Sequence, residues 1–250
     1  MIKIIINTQG NDYFNHQRLH PTIEKTKNKR MKRLMQYITA LLFLYGCAYG
    51  QSGADENFAH LPSPRKGEMV ATFAGGCFWS LSEGLSELKG VNKVVSGYSG
   101  GTTKWPTYEE VGSDKTGHAE SVQVYYDPTV IDYATLAEAF FYAHDPTTLN
   151  RQGPDVGMDY RSVVFFRSPE EQKTLMEVVA KVNASHHYAN PIVTQVVPFK
   201  VFYPAENYHQ GYYRLHPESP YIQAVSVPKV QKLQKAMGDK MKPAFQVKHS

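Results

Sequence analysis

The protein has 250 residues, with 27 lysines and arginines against 23 aspartates and glutamates, a formal net charge of +4. Residues 1–50 carry eight basic and two acidic side chains, so residues 51–250 carry the other 19 basic and 21 acidic ones, a net charge of −2. A body this close to neutral argues against a nucleic-acid or polyanion partner. Two cysteines exclude a disulfide scaffold and a cysteine-rich zinc site, and the 12% aromatic content argues against disorder.

Residues 31–47 carry the three parts of a secretory signal. Lys32 and Arg33 form a positive segment, Leu34 to Tyr45 form a mostly apolar segment, and Gly46-Cys47 follows as a cleavage region. The apolar segment is shorter than the span of about 20 residues that a bilayer needs. The end of the segment resembles the bacterial lipoprotein cleavage box, in which the cysteine becomes the lipidated first residue. We predict lipidation of Cys47; the alternative is cleavage just after Cys47, which then has no function.

The chain divides into four segments. Residues 1–30 are predicted to be a polar extension upstream of a true start at Met31, residues 31–47 the signal peptide, residues 48–66 a linker, and residues 67–250 a folded domain. We expect export to the cell envelope or periplasm with a lipid anchor, or a cytoplasmic location if the leader is not processed. We also expect a monomer.

Apolar periodicity predicts the elements of the domain in chain order. Strands are predicted at 68–74, 91–98, 119–127, 162–167 and 193–199, and helices from Cys77 to Gly90, after Asp132, after Ser168, near Glu206 and over about 228–241. Residues 99–117 and 144–160 are predicted loops. The first six elements follow the split βαβ order. We therefore predict an α+β fold, a ferredoxin-like split βαβ sandwich with extra helices and loops.

Cys77 is the first candidate for chemistry. It follows a strand and Gly75-Gly76 and opens a helix, where unpaired N–H groups and the helix dipole favour thiolate over thiol. A lone cysteine is otherwise commonly buried and inert. Phe78 fits the apolar stripe of the helix and can be simple core, whereas Trp79 leaves that stripe and is a better candidate for a pocket wall.

Glu120 is the second candidate, because it shares a strand face with Val122, Val124 and Tyr126. If that face is buried, desolvation raises the pKa of the carboxyl group. A carboxylic acid that is protonated near neutrality can serve as a general acid. The alternative is a strand-end glutamate turned to solvent. Three phenolic or acidic loop residues are weaker candidates: Tyr108, Asp145 and Tyr160.

Seven short motifs follow one another along the domain. They are Gly75-Gly76-Cys77-Phe78-Trp79, Gly97-Tyr98-Ser99-Gly100-Gly101, Pro106-Thr107-Tyr108, Gly117-His118-Ala119-Glu120, His144-Asp145-Pro146, Asp159-Tyr160-Arg161-Ser162 and Ala205-Glu206-Asn207-Tyr208-His209-Gln210. Together they resemble the A-type peptide methionine sulfoxide reductases, which reduce the S epimer of methionine sulfoxide. The resemblance runs from about Val70 to about Lys235 and marks residues 67–250 as the catalytic domain.

The resemblance implies a role for each candidate residue. Cys77 resembles the nucleophile that attacks the sulfoxide sulfur and becomes a sulfenic acid, and Glu120 resembles the acid that protonates the sulfoxide oxygen. The remaining roles are those of substrate-binding residues. Tyr108 and Tyr160 resemble phenols that hydrogen-bond the oxygen, Phe78 and Trp79 resemble the walls around the substrate methyl group, and Asp145 resembles a carboxylate that supports the pocket through water.

The sequence departs from much of this family in its tail, which has no cysteine beyond Tyr221. Many members use further cysteines there to resolve the sulfenic acid as a disulfide. We expect no bound cofactor or metal and an external thiol reductant, such as a thioredoxin, a glutaredoxin or a small thiol. The implied substrates are oxidised proteins or free methionine sulfoxide, and the implied role is protein repair under oxidative stress.

Of three other functions, the sequence excludes one and leaves two open. His118-Ala119-Glu120 has the H-x-E form of zinc deaminases, but the cysteines that such a site needs do not follow Cys77. A cysteine–histidine hydrolase would use His118, His144 or His209 as its base. A lipid-anchored binding module would keep its function after Cys77→Ser.

Overall fold

A computed structural model describes residues 57–247, which lie within the compact unit Glu56–Ser250. The predictions for residues 1–56, including the signal peptide, Cys47 and the first nine residues of the linker, lie outside the described residues. In the described part of the chain, no helix is both long and apolar enough to cross a membrane.

A six-stranded mixed sheet forms the centre of the domain. Its strands are β1 (Met69–Gly75), β2 (Val91–Ser99), β3 (Ala119–Tyr126), β6 (Ser162–Phe166), β7 (Gln195–Pro198) and β8 (Phe202–Pro204), and a separate pair is formed by β4 (Arg151–Gln152) and β5 (Asp155–Val156). The order across the sheet is β7-β6-β1-β3-β2-β8. Neighbouring strands are antiparallel except β6 and β7, which are parallel. The five predicted strands are confirmed.

Helices complete the α+β fold. They are α1 (Phe78–Ser86), α2 (Tyr108–Gly112), α3 (Tyr133–Ala143), α4 (Pro169–Ala184), α5 (Tyr212–Leu215) and α6 (Val227–Met237). The predicted caps are present, since Asp132 accepts from the Thr135 amide and Ser168 accepts from the Glu171 amide. The main core forms where helices pack on one sheet face. Phe73, Val122, Val124 and Val164 supply that face.

Both long predicted loops contain regular structure. Residues 99–117 include α2, which begins with a capping box. The Thr107 side chain accepts from the Glu110 amide, and the Glu110 side chain accepts from the Thr107 amide. Residues 144–160 include the β4–β5 pair and a 3₁₀ helix at Met158–Tyr160. The prediction was wrong here because a five-residue helix and two-residue strands are too short to show an apolar period.

The first described residues already contact the domain. Phe58 forms a bridge with Glu206, and the Ala59 amide donates to the Ala205 carbonyl at 2.9 Å. The Tyr125 hydroxyl donates to the carbonyl of Pro62 at 2.9 Å. The end of the predicted linker therefore packs on the sheet, and we call residues 57–62 the entry segment.

The last helix contains a widened turn. A π-helix at Ile222–Ser226 leads directly into α6. Pro228 explains it, because proline has no N–H to donate to the Ala224 carbonyl in an α-helical register. The helix ends at Met237, earlier than predicted, and Gly238 follows with a φ of 47°.

Candidate active site

Two glycines place Cys77 at the first turn of α1. Gly76 has a φ of 79°, and a Cβ there would lie 2.5 Å from Cγ of Gln152. A Cβ on Gly75 would lie 2.9 Å from the Phe140 ring. A larger residue at either position would displace the turn. The strand, the tight turn and the helix start thus set the position of the Cys77 thiol.

Burial dominates the chemistry of the Cys77 thiol. Cys77 is 5% exposed, and burial, followed by the nearby Glu120, raises the pKa of the thiol well above its usual range. The Trp79 amide, the Tyr221 hydroxyl and the charge of Lys229 act to lower that pKa. The helix start favours thiolate in the predicted direction, through the Trp79 amide, but burial of the thiol acts more strongly in the opposite direction.

Glu120 lies on the buried face, as predicted, and is 2% exposed. Its Oε2 accepts a hydrogen bond from the Phe78 amide at 2.9 Å, which ties the carboxyl group to the residue after Cys77. Burial raises the pKa of Glu120 to about 8, and this hydrogen bond only partly opposes the rise. Near neutrality Glu120 is therefore mainly a neutral acid beside a neutral thiol.

Two phenols lie near this pair. The hydroxyls of Tyr108 and Tyr160 interact, and burial followed by the Glu120 charge raises the pKa of both. The Tyr108 amide donates to Glu206 Oε1 at 2.9 Å, and Glu206 Oε2 accepts from the Tyr98 hydroxyl at 2.8 Å. Both phenols remain protonated donors at any physiological pH.

Aromatic rings surround the start of α1. Phe78 is fully buried in the main core, whereas Trp79 is only partly buried. Trp79 stacks on Tyr212 with ring centroids 3.9 Å apart, and its Nε1–H donates to His209 Nδ1 at 3.1 Å. The prediction that Trp79 differs from the helix stripe is consistent with this position. His209 and Tyr212 were missed as its partners because both lie so far along the chain from Trp79, His209 by 130 positions.

The structure does not bring Asp145 to this cluster. Asp145 Oδ1 accepts from the Thr147 amide and hydroxyl, which form a local turn. Asp155 is there instead, and its Oδ2 accepts from the Tyr221 hydroxyl at 2.6 Å. Asp155 also acts on the pKa of Glu120 and Tyr160. Both aspartates lie in the segment between α3 and β6. Asp155 begins β5, and this position brings it, and not Asp145, to the Tyr221 hydroxyl.

Of the three histidines that a hydrolase could use, His209 lies at the site, where its Nδ1 accepts from Trp79, and the other two are engaged elsewhere. His118 accepts from the Gly101 amide at Nδ1 and contacts the Thr103 carbonyl through Nε2. His144 contacts the Phe140 carbonyl and the Ser162 hydroxyl, and burial lowers its pKa to about 4. Among residues 57–247, no group of three or more histidine, cysteine, aspartate or glutamate side chains could hold a metal ion.

Comparisons with known proteins agree with the resemblance seen in the motifs. The family model described as "Peptide methionine sulfoxide reductase" matches residues 69–241. A curated relative, the peptide methionine sulfoxide reductase MsrA 1 of Rhodopirellula baltica, is 48% identical over 71% of this chain and 92% of its own length. An MsrA of Thermus thermophilus is 49% identical over 70% of this chain and 99% of its own length.

Two solved structures share the fold. Reduced Mxr1 of Saccharomyces cerevisiae matches with a TM-score of 0.58 at 33% identity, over 65% of this chain and 91% of its own. Methionine sulfoxide reductase A of Corynebacterium diphtheriae matches with a TM-score of 0.56 at 29% identity, over 66% of this chain and 88% of its own. The chain therefore belongs to the peptide methionine sulfoxide reductase family and reduces methionine sulfoxide to methionine.

Proposed function

We propose that Cys77 is the nucleophile and Glu120 the general acid in reduction of the S epimer of methionine sulfoxide, through a sulfenic acid on Cys77. The hydrogen bond from the Phe78 amide to Glu120 carries this proposal, because it fixes a buried, protonated acid beside the only thiol among residues 57–247. Sulfoxide oxygen is a poor leaving group until it is protonated, so the reaction needs an acid beside the nucleophile.

The reaction balances on these two groups. Glu120 gives its proton to the sulfoxide oxygen while Cys77 Sγ attacks the sulfoxide sulfur, and the thiol proton replaces the one that Glu120 gave. This attack forms an Sγ–S bond, and the S–O bond of the substrate breaks as its oxygen takes a second proton from Glu120 and leaves as water. A water molecule then attacks Cys77 Sγ and returns a proton to Glu120, so that the Sγ–S bond breaks and an S–O bond to Cys77 forms. The substrate sulfur is reduced to a thioether and Cys77 is oxidised to a sulfenic acid.

The surrounding side chains fit the two ends of the sulfoxide group. Tyr108 and Tyr160 present phenolic O–H donors for the oxygen, because burial keeps both protonated. Phe78 and Trp79 supply apolar surface for the methyl group. We assign the role of the carboxylate that supports the pocket to Asp155 in place of Asp145. Asp155 accepts a hydrogen bond from the Tyr221 hydroxyl, and its charge raises the pKa of Glu120.

A stereospecific assay tests this function. Purified protein mixed in single turnover with S- or R-epimer sulfoxide peptide should form one methionine per Cys77 from the S epimer only. Cys77→Ser should abolish the product. Activity on the R epimer alone, or activity that survives Cys77→Ser, would overturn the assignment.

We infer that an external thiol regenerates the enzyme. The sequence has no cysteine after Cys77, so the tail offers no resolving thiol. A thioredoxin, a glutaredoxin or a small thiol would attack the Cys77 sulfenic acid and release water, and a second thiol of the reductant would then break the mixed disulfide and restore the Cys77 thiol. Peptide mapping after turnover without reductant tests this, because a Cys47–Cys77 disulfide in the mature protein would show an internal thiol instead.

We infer export with a lipid anchor at Cys47, on the sequence pattern of residues 31–47 alone. The exported enzyme would act as a monomer on oxidised envelope proteins or on free methionine sulfoxide. Mass spectrometry of the mature N-terminus tests the processing, which an intact Met1 would contradict. Light scattering of the purified protein tests the monomer.

We also infer that the central strands keep the ferredoxin-like plan. The first, second, third and fourth long strands of the domain are β1, β2, β3 and β6, and they lie in the order β6-β1-β3-β2. All their neighbouring pairs are antiparallel, with α1 and α3 as the two connections. On this interpretation β7 and β8 are additions at the two edges.

A further inference from the structure

Lys229 is a buried cation for which the reaction as described has no use. Its side chain is 18% exposed, and its Nζ is buried without a hydrogen-bond partner among the described residues. The acidic atom that faces it is Asp155 Oδ2, at 3.9 Å. Burying an ammonium group in this way costs free energy of folding unless the group interacts with a negative charge that forms nearby.

A short series of contacts joins Lys229 to the thiol. Lys229 faces Asp155, Asp155 accepts from the Tyr221 hydroxyl at 2.6 Å, and the Tyr221 hydroxyl interacts with Cys77. The charge of Lys229 also acts directly on Cys77 and on Glu120. The charge of Lys229 therefore acts on both reacting groups, Cys77 and Glu120, and Lys229 also faces the aspartate that binds Tyr221.

The π-helix at Ile222–Ser226 explains how one helical segment supplies both Tyr221 and Lys229. The two residues are eight positions apart, and in a regular α-helix such residues point about 80° apart, whereas residues seven apart point about 20° apart. A π turn contains one extra residue, so it brings a spacing of eight back to the same face. Pro228 follows directly after that turn, and both Tyr221 and Lys229 approach Asp155 Oδ2.

The charged and polar groups around Cys77 come from four elements. Glu120 approaches from β3, the Trp79 amide from α1, and Tyr221 and Lys229 from the last helical segment. Asp155 stands behind Tyr221 on β5. Among these groups Lys229 carries the one positive charge, whereas the two carboxyl groups oppose negative charge on Cys77.

We propose that Lys229 is a positioning residue of the reductase site, which keeps Asp155 as the acceptor for Tyr221 and stabilises the negative charge that develops on the Cys77 sulfur during attack. The inference rests on the proposed role of Cys77. Lys229 itself does not touch the substrate. It acts through the Asp155–Tyr221 pair and through its charge.

Alkylation of Cys77 measures this role separately from sulfoxide reduction. The protein is treated with iodoacetamide at pH 8, and modification of the Cys77 peptide is followed by mass spectrometry. We expect Lys229→Met to slow alkylation about tenfold, the effect of raising a thiol pKa by about one unit. Lys229→Arg should restore most of the rate, and Lys235→Met, which removes an exposed lysine of the same helix, should change nothing.

Two outcomes would overturn the proposal: equal alkylation rates for Lys229→Met and the unaltered protein, or an arginine variant as slow as the methionine variant. Lys229→Gln provides a second neutral variant if the methionine variant does not fold. The single-turnover rate constant at saturating substrate should fall about tenfold in both neutral variants, and the substrate concentration that gives half of the maximal rate should not change. If the unaltered protein does not reduce the S epimer, the proposed function fails, whereas the alkylation rates still report on Lys229.

A double-mutant cycle tests the route. With Tyr221→Phe as the second change, we expect Lys229→Met to slow alkylation by much less than tenfold, because part of its effect passes through Tyr221. Strictly additive effects would contradict the positioning route through Asp155 and Tyr221.

Discussion

At the scale of single residues, burial governs the site more than local structure does. The start of α1 favours an anion at Cys77, yet burial keeps the thiol neutral, and burial also keeps Glu120 protonated. The resting pair is a thiol and an acid. Charge therefore develops only when a sulfoxide oxygen arrives to take the proton of Glu120.

The raised pKa of Glu120 predicts a pH limit for the chemical step. The protonated fraction of a group with a pKa of about 8 is lost as the pH rises through 8, so single-turnover reduction should fall above that pH. Glu120→Gln should reduce the rate by about 10²–10⁴-fold and remove the alkaline fall. Rapid-mixing kinetics from pH 6 to pH 10 measure both effects, and an unchanged rate in the glutamine variant would refute the assigned role.

The same residue should weaken the fold. Unfolded Glu120 ionises near 4.5, whereas folded Glu120 ionises near 8, so the folded state loses stability as the pH rises from about 4.5 to about 8. Each pH unit in that window lowers the free energy of unfolding by up to about 1.4 kcal/mol. Glu120→Gln should therefore melt higher than the unaltered protein at pH 8, with the difference shrinking toward pH 4.5. A difference independent of pH would contradict this account.

The sequence predicted the position of Glu120 and the direction of its pKa shift, but not which aspartate lies near it. Alternation along β3 was sufficient to place Glu120 on the buried face with Val122. It could not separate Asp145 from Asp155, since both follow α3 in one segment without an apolar period. The partner of Asp155, Tyr221, lies 66 residues further along the chain, and nothing local in the sequence connects them.

At the scale of elements, the turn between β1 and α1 sets the geometry of the site. Gly76→Ala combines a positive φ with a Cβ placed 2.5 Å from the Gln152 side chain. We expect a loss of about 1–3 kcal/mol in the free energy of unfolding and a slower reduction. Urea denaturation and single-turnover kinetics measure the two effects.

Gly112→Ala is the matched control for this turn. Gly112 lies in α2, and a Cβ there meets nothing within 4 Å. Alanine has a higher helix propensity than glycine, so the substitution should be neutral or stabilise the fold by up to about 1 kcal/mol. Equal losses at Gly76 and Gly112 would show that the turn has no special requirement.

Elements with an apolar period or a strong cap were predictable, and those held by distant contacts were not. The capping residues Ser168 and Asp132 predict the starts of α4 and α3, and Pro169 at the first helical position supports the first of them. β8 has three residues, and only its pairing with β2, far away in the sequence, makes it a strand. The π turn follows from Pro228, but its effect on the site depends on Tyr221 facing Asp155, a tertiary contact.

At the scale of the whole molecule, the order of elements was enough for the α+β class, whereas the contacts of the entry segment could not be predicted from it. The entry segment contributes backbone pairing to Ala205 and Glu206, and Glu206 in turn holds the Tyr108 amide. A protein that begins at Met69, where the family match begins, lacks these contacts.

Truncation tests the importance of the entry segment. A protein beginning at Gly67 should melt lower than one beginning at Asn57, and its reduction of S-epimer peptide should be slower because Glu206 loses a backbone partner. We expect a loss of about 1–2 kcal/mol in the free energy of unfolding, the usual size for a few lost backbone hydrogen bonds. Matched thermal melts of the two truncated proteins measure it, and identical melting temperatures would contradict the prediction.

The bridge between Phe58 and Glu206 also has a mechanical consequence. Tension applied through the amino end of the domain arrives first at Phe58, and from there at Glu206, Tyr98 and Tyr108. Tyr98 is a buried residue of β2, so this path reaches the central sheet as well as the site. A stretched chain would thus strain the alignment of Tyr108 and the strand β2 through the same residue, Glu206.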